Sequence, residues 1–228
     1  MEGKIKRNQS IMATSPLIEA VVANNIRECR RLLETEEGME TIDDRDQYED
    51  EFDEEYGYSR DYIHGRPIGL TALMHACKRG YLNIAELLLS KGAVVDRRDI
   101  KERYTALMLA LYHNHFEISK LLISEVGGAE VDLGDDDGHT ALLLASIYGH
   151  LEIVQLLLCQ GAYMSIRDNS GRTALDWASS YGRLNVADCL RKWPWTMAII
   201  ALKEDLAYHL LDASTLIDLW QYLEGYPK

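Results

Sequence analysis

Apolar and polar residues alternate with helical periodicity through most of the chain, and one pattern returns at a nearly fixed spacing. Four segments align, and their first residues are 34, 35 and 33 positions apart. These first residues are Thr71, Thr105, Thr140 and Thr173. In each segment a leucine and an alanine three positions apart, such as Leu73 and Ala76, lie on one face of a short helix. A second helix with one apolar face follows a turn, so the pattern predicts a repeated helix–turn–helix unit.

Residues with special backbone preferences mark the ends of these predicted helices. Each threonine is a good N-cap, because its side-chain oxygen accepts a hydrogen bond from the first helical turn. Gly80 and Gly149 end first helices, where a left-handed residue is needed. Three further glycines precede threonines, and we expect positive φ there: Gly69, Gly138 and Gly171.

The unit that begins at Thr105 departs from this pattern. Arg103 stands where the other units have the turn glycine, and one additional residue precedes it. Two more additional residues follow the second helix, near Gly127 and Gly128. We therefore expect this unit to be the distorted one.

A fifth, weaker copy begins at Ser15, with Pro16 at the first helical position. It lies 56 residues before Thr71, which is one repeat of about 33 residues plus an insertion of about 23. Glu28 and Arg31 occupy positions that are apolar in later copies. A polar outer face is typical of a terminal unit.

The five copies resemble the ankyrin repeat: threonine, alanine or proline, leucine, a short helix, a turn, and a second helix that ends in leucines and Gly-Ala. The resemblance covers residues 15–192 and implies an all-α fold, an α-solenoid of about five helix–turn–helix repeats with hairpin loops. Residues 1–14 then form an N-terminal tail, and 193–228 a C-terminal helical cap. Many ankyrin repeats carry a histidine three residues after the threonine, where it links neighbouring repeats by hydrogen bonds. Those positions here are Ile18, Met74, Met108, Leu143 and Asp176. We therefore expect apolar packing in place of that hydrogen-bond ladder.

The segment after the last repeat predicts two helices, at about 195–211 and 214–223, beyond Pro194. Trp193, Trp195 and Trp220 lie in it. These tryptophans either cover the apolar face of the last repeat or belong to a separate docking pair of helices.

The net charge of −13 is concentrated in one segment. Residues 34–61 contain fourteen acidic and two basic residues, so the rest of the chain is nearly neutral. A nearly neutral body does not favour nucleic acid as a partner, because phosphate binding needs a basic surface. We expect the acidic insertion, 34–66, to lack a packed core. It is either a solvated spacer or an arm that binds a basic partner or folds back on Lys78 and Arg79.

The sequence favours no catalytic, cofactor-binding or metal-binding residues. The phosphate-loop, dinucleotide, zinc-protease and nucleophile-elbow motifs are missing. Cys29, Cys77, Cys159 and Cys189 are far apart, without the spacing of a disulfide scaffold or metal site. There is no apolar run of about 20 residues and no signal-peptide core. We therefore expect a monomer in the cytoplasm or nucleus that binds neither membrane nor cofactor.

The family resemblance implies a partner-binding surface on the concave face, at the hairpin tips and the ends of the first helices. The residues at those positions are Lys78, Arg79, Lys101, Tyr104, Tyr112, His113, Asp136, Asp137, His139, Tyr148, Arg172 and Tyr181. The tyrosines suit a protein or an extended peptide, since tyrosine offers a large amphipathic contact area. They could instead pack on neighbouring repeats. The resulting hypothesis is a non-catalytic scaffold or adaptor; the alternatives are an architectural or effector-like repeat protein and a non-catalytic subunit of an enzyme complex.

Overall fold

A computed structural model describes residues 15–46, 69–124 and 126–193. Within these ranges the secondary structure is helical. The helices are α1 (Pro16–Val22), α2 (Ile26–Leu32), α3 (Glu36–Glu40), α4 (Ala72–Arg79), α5 (Leu82–Ser90), α6 (Ala106–Tyr112), α7 (Phe116–Ile123), α8 (Ala141–Tyr148), α9 (Leu151–Cys159), α10 (Ala174–Ser180) and α11 (184–193). The predicted N-terminal tail and nearly all of the predicted C-terminal cap lie outside the described residues.

The helices form two layers, which confirms the predicted all-α solenoid. Repeat 1 consists of α1 and α2, repeat 2 of α4 and α5, repeat 3 of α6 and α7, repeat 4 of α8 and α9, and repeat 5 of α10 and α11. The first helices α1, α4, α6, α8 and α10 pack side by side in one layer, and α2, α5, α7 and α9 form the other. Leucines such as Leu73, Leu107 and Leu142 are almost wholly buried in this structure.

The threonines cap their helices as predicted, and methionine completes two of the caps. The Thr71 Oγ1 atom accepts the N–H of Met74, and the Met74 sulfur lies 3.5 Å from the Thr71 nitrogen. Thr105 and Met108 repeat this reciprocal arrangement. Ser15 is different: it stands at the N-cap position of α1, but its buried hydroxyl makes no cap hydrogen bond.

The expected distortion of repeat 3 is confined to two places. Arg103 adopts the positive φ, 61°, that glycine takes at the equivalent positions. Helix α7 ends at Ile123 and has eight residues, whereas α5 and α9 have nine. Helix α6 starts with the same threonine cap as its neighbours, so the body of the repeat is regular.

Apolar packing stands in place of the histidine ladder in repeats 1 to 4, because Ile18, Met74, Met108 and Leu143 are almost wholly buried. Neighbouring repeats are nevertheless joined by hydrogen bonds of another kind, in which an aspartate of one repeat accepts a backbone N–H group from the following repeat. The bonds run from Val94 to Asp43 (2.8 Å), from Glu130 to Asp96 (3.0 Å) and from Tyr163 to Asp132 (3.0 Å). The aspartates of these bonds stand at a different position of the repeat from the one three residues after the threonine, so that position alone does not reveal them.

The acidic insertion is shorter than the sequence predicted. Residues 34–46 are packed: they include α3, and Ile42 is buried against the core. The Asp46 N–H donates to the Leu70 carbonyl, and the Leu70 N–H donates to the Asp46 carboxylate, each at 2.9 Å. The first repeat therefore continues to Asp46, and the part of the insertion beyond it, 47–68, lies outside the described residues.

Candidate partner-binding surface

Four buried aspartates hold the hairpins that connect successive repeats. They are Asp46, which bonds with Leu70 at the described ends of the first hairpin, and Asp99, Asp135 and Asp168 in the second (99–104), third (135–139) and fourth (168–172) hairpins. In the last three, one carboxylate oxygen accepts two backbone N–H groups of its own hairpin at 2.7 to 3.1 Å. The tips are therefore fixed by hydrogen bonds within each hairpin.

The tips are also joined to one another. The Asp136 N–H donates to the Glu102 carbonyl at 3.0 Å, which links the third hairpin to the second. The Asn169 N–H donates to the Asp137 carbonyl at 2.9 Å, and its side-chain amide donates to the Asp136 carbonyl at 2.8 Å. The second, third and fourth tips therefore form one row with a defined spacing.

Tyrosines from successive repeats come together beside these tips. We call Tyr104, Tyr112, Tyr148 and Tyr181 the tyrosine row. The ring centroids of Tyr104 and Tyr112 are 6.4 Å apart, and those of Tyr112 and Tyr148 are 6.0 Å apart with their planes at 81°. Tyr112 is 42% exposed and Tyr181 53%. The row therefore packs against itself and also presents ring surface to solvent.

Burial keeps the hydroxyls of Tyr104 and Tyr148 protonated at neutral pH, since it raises the pKa of both. Burial, together with the neighbouring Tyr112 and Tyr181, raises the pKa of Tyr148 to about 12. The pKa of Tyr104 is raised as well, first by burial and then by Glu102. The row is thus an uncharged amphipathic surface.

A second cluster surrounds Trp177, a residue that the sequence analysis did not select. The Trp177 indole nitrogen donates to the Asp168 carboxylate at 2.7 Å, and the Arg172 guanidinium lies 3.4 Å from the Trp177 ring centroid. Tyr181 stacks on the same ring, with centroids 5.4 Å apart. The signal was present in the sequence, because repeats 3 and 4 have leucine at the position of Trp177.

His139 links the last two hairpins through their buried aspartates. Its Nδ1 atom lies 3.2 Å from Asp135, and its Nε2 atom lies 3.7 Å from Asp168. The hydrogen bond with Asp135 is the main cause that raises the pKa of His139, and the charges of Asp135, Asp137 and Asp168 add to it against the effect of burial. Protonation of His139 therefore strengthens the contact between these hairpins.

The remaining predicted residues lie at helix ends or at exposed tips. Arg79, at the end of α4, donates to His75 Nδ1 at 2.7 Å, so His75 uses its Nε2 proton to bond with the buried Asp46. The other residues of this group are Lys78 at the end of α4, Lys101 at the second tip, His113 after α6, and Asp136 and Asp137 at the third tip. His113 contacts Tyr112 edge to face, with centroids 5.2 Å apart.

Metal binding, membrane crossing and disulfide formation find no support in the part of the chain that the structure describes. Within residues 15–46, 69–124 and 126–193, no three His, Cys, Asp or Glu side chains are grouped closely enough to hold a metal ion. No helix of these ranges is long and apolar enough to cross a membrane. The thiols of Cys29 and Cys77 are buried and form no disulfide, and burial raises the pKa of Cys29 to about 11.

Comparison with known proteins identifies the family of these repeats. A family model for ankyrin repeats matches residues 4–99, 56–135 and 126–193, and together these stretches span well over half of the chain. The protein belongs to the ankyrin-repeat family. Ankyrin repeats generally mediate protein–protein interactions.

Curated relatives share the repeats over a limited length. Ankyrin repeat and SAM domain-containing protein 6 of Mus musculus is 41% identical over 71 residues, which are 31% of this chain and 8% of that protein. Ankyrin repeat and KH domain-containing protein mask-1 of Caenorhabditis elegans is 44% identical over 68 residues, 30% of this chain and 2% of that protein. Ankyrin repeat domain-containing protein 17 of Homo sapiens is 38% identical over 77 residues, 33% of this chain and 3% of that protein. The chain therefore matches only a small part of the length of these relatives.

Proposed function

We propose that this ankyrin-repeat protein is a non-catalytic scaffold or adaptor that binds another protein through the tyrosine row and the hairpin tips. The observation that carries the proposal is the tyrosine row itself, which spans repeats 3 to 5 beside tips that are hydrogen-bonded to one another. Exposed tyrosines on a rigid frame suit protein recognition, because few degrees of freedom are lost on binding.

The proposal also includes the oligomeric state, the location and the kind of partner. We propose that the chain acts as a monomer in the cytoplasm or nucleus, with a protein or peptide as its partner. The nearly neutral charge of the chain outside residues 34–61 supports a protein over a nucleic acid, since phosphate binding needs a basic surface.

Affinity capture with matched variants tests this function. The full chain, the double variant Tyr112→Ala/Tyr148→Ala and the control Tyr163→Ala are immobilised, and bound proteins from an extract of the source cells are quantified by mass spectrometry. Tyr163 is 67% exposed and has no ring contact among the described residues, so its replacement controls for the loss of a surface tyrosine. Proteins bound by the parent and the control should be lost from the double variant, since interface anchors cost about 2 kcal/mol or more each. The same proteins retained at equal levels by all three forms would contradict the proposed surface.

A further inference from the structure

We propose that the partner segment is basic, and that the tyrosine row and the acidic tip of the third hairpin together bind its lysine or arginine side chains. This inference rests on the proposed function and adds the chemistry of the partner to it.

The third hairpin supplies negative charge beside exposed rings. Asp136 and Asp137 are exposed at its tip. The side chain of Asp136 is 58% exposed and has one distant ion pair, with Arg103 at 3.8 Å. Asp137 has no ion pair among the residues that the structure describes. These two carboxylates are therefore accessible to a cation from another chain.

The rings of the row supply the second part of a cation site. The planes of Tyr112 and Tyr148 stand at 81°, so the edge of one ring meets the face of the other. Tyr112 and Tyr181 are exposed, so these two rings present surface to solvent. The face of an aromatic ring attracts a lysine or arginine cation. Burial raises the pKa of Tyr104, and the charges of the neighbouring Glu102 and Asp135 add to this effect, so two acidic groups lie near this end of the row.

Repeat 5 contains an internal example of the same recognition. There the Arg172 guanidinium lies over Trp177 at 3.4 Å, and its Nε atom is 3.8 Å from Asp168. Arg172 thus combines an aromatic face with a carboxylate. The tyrosine row and the third tip offer the same two groups, but in the described part of the chain no lysine or arginine lies over a ring of the row.

The surrounding charges orient such a partner. Residues 97–103, which lead into and form the second hairpin, carry four basic and two acidic residues, whereas residues 130–138, which lead into and form the third, carry five acidic residues and no lysine or arginine. A basic side chain is therefore directed toward the third tip and away from the second.

Peptide selection on the full chain tests the inference. A library of random twelve-residue peptides, displayed on phage, is selected against the immobilised protein at low ionic strength, and the enriched sequences are read. We expect enrichment of lysine and arginine beside apolar or aromatic residues. Representative synthetic peptides are then titrated against four forms of the protein: the parent, Tyr112→Ala/Tyr148→Ala, Asp136→Asn/Asp137→Asn and Glu117→Gln/Glu152→Gln. The last removes two exposed charges from α7 and α9, away from the tips.

The inference predicts about a tenfold loss of affinity in the tyrosine variant and in the aspartate variant, and less than about a twofold loss in the glutamate control. Binding of the parent should also weaken from 0.01 M to 0.15 M salt, as the Debye length falls from about 30 Å to about 8 Å. Peptides that need the tyrosines but are acidic or neutral, or that bind the aspartate variant as well as the parent, would overturn the inference and leave the proposed function intact. A selection that yields no tyrosine-dependent peptide would overturn both.

Discussion

The second and fourth hairpins contain equivalent aspartates that behave in opposite ways. Asp99 and Asp168 occupy the same position of the repeat and are both 6% exposed. Burial raises the pKa of Asp99, whose hydrogen bonds come only from backbone N–H groups of its own hairpin. Burial also acts to raise the pKa of Asp168, but hydrogen bonds from Ser170, Arg172 and Trp177 outweigh it and hold that pKa at about 2.

The difference between them originates in the side chains that face the carboxylate. The residue four positions after the capping threonine is Leu109 beside the second hairpin and Trp177 beside the fourth. Leucine has no hydrogen-bond donor, whereas the indole N–H donates one to Asp168 at 2.7 Å. The Ser170 hydroxyl donates to the same carboxylate at 2.6 Å, and Lys101 stands at the equivalent place in the second hairpin. His75 occupies the position of Trp177 in repeat 2 and bonds with Asp46. The carboxylate of the fourth hairpin is therefore stabilised by two side-chain donors, Ser170 and Trp177, that the second hairpin lacks.

Trp177→Leu should have the largest effect, because it removes both a buried ring and the indole donor to Asp168. We expect a loss of about 3 kcal/mol in the free energy of unfolding, from lost burial and a lost hydrogen bond to a charged acceptor. The pKa of Asp168 should rise, which NMR titration of the carboxyl carbon measures. Unfolding in urea with Leu109→Met as the control gives the stability. An unchanged Asp168 pKa in the variant would show that Trp177 does not cause the difference.

Asparagine substitutions compare the two carboxylates directly. Asp168→Asn should destabilise by about 2 kcal/mol, since it removes the charged acceptor for Trp177, Ser170 and Arg172. Asp99→Asn should change stability by less than about 1 kcal/mol, because the amide oxygen still accepts the two backbone N–H groups and the cost of a buried charge is removed. Urea unfolding at pH 7 measures both. Equal losses would contradict the comparison.

The contributions of Asp168 and Asp99 to folding stability change in opposite directions with pH. The pKa of Asp168 is lowered, so the stability it contributes is present above the pKa of an unfolded aspartate and is lost as the pH falls toward about 2. The pKa of Asp99 is raised, so its contribution is greatest at low pH and is lost as the pH rises through the folded-state value.

The sequence predicted those parts of the fold that depend on one residue at a fixed place in the repeat. The four capping threonines and the turn glycines are of this kind, and all have the expected geometry. It failed at the first hairpin, because the insertion separates Asp46 from its bonding partner Leu70, whereas Asp168 is four residues from Arg172. The sequence also did not predict the role of Trp177. An apolar pattern treats tryptophan and leucine alike, although the tryptophan indole can donate a hydrogen bond.

Two histidines on neighbouring parts of the array should show opposite pH effects. The pKa of His139 is raised, mainly by Asp135, so its contribution to stability is complete below about pH 6.5 and is lost as the pH rises through its folded-state value. Burial lowers the pKa of His150, so its contribution is lost as the pH falls. His139→Gln should therefore destabilise by about 1 kcal/mol at pH 5.5 and by less at pH 8.5. His150→Gln, compared across the same pH range in urea unfolding, should show the reverse trend. If the stability losses of the two variants change with pH in the same direction, protonated His139 does not stabilise the contact between the hairpins.

The smallest expected effect separates the aromatic contact of Arg172 from its charge. Arg172 and Arg167 lie in the same loop segment and carry the same charge, but only Arg172 lies over Trp177, while Arg167 donates to the Gly171 carbonyl at 2.6 Å. Because the side chain of Arg172 is 44% exposed, we expect Arg172→Gln to destabilise by about 0.5 to 1 kcal/mol. Arg172→Lys should recover only part of this loss, since a lysine keeps the charge but not the planar stacking group. Arg167→Gln, measured by urea unfolding in parallel, should change stability less than Arg172→Gln. If the two glutamine variants lose equal stability, general charge and not the Trp177 contact supports Asp168, and the contrast between the second and fourth hairpins would then rest on the Ser170 hydroxyl and the indole N–H.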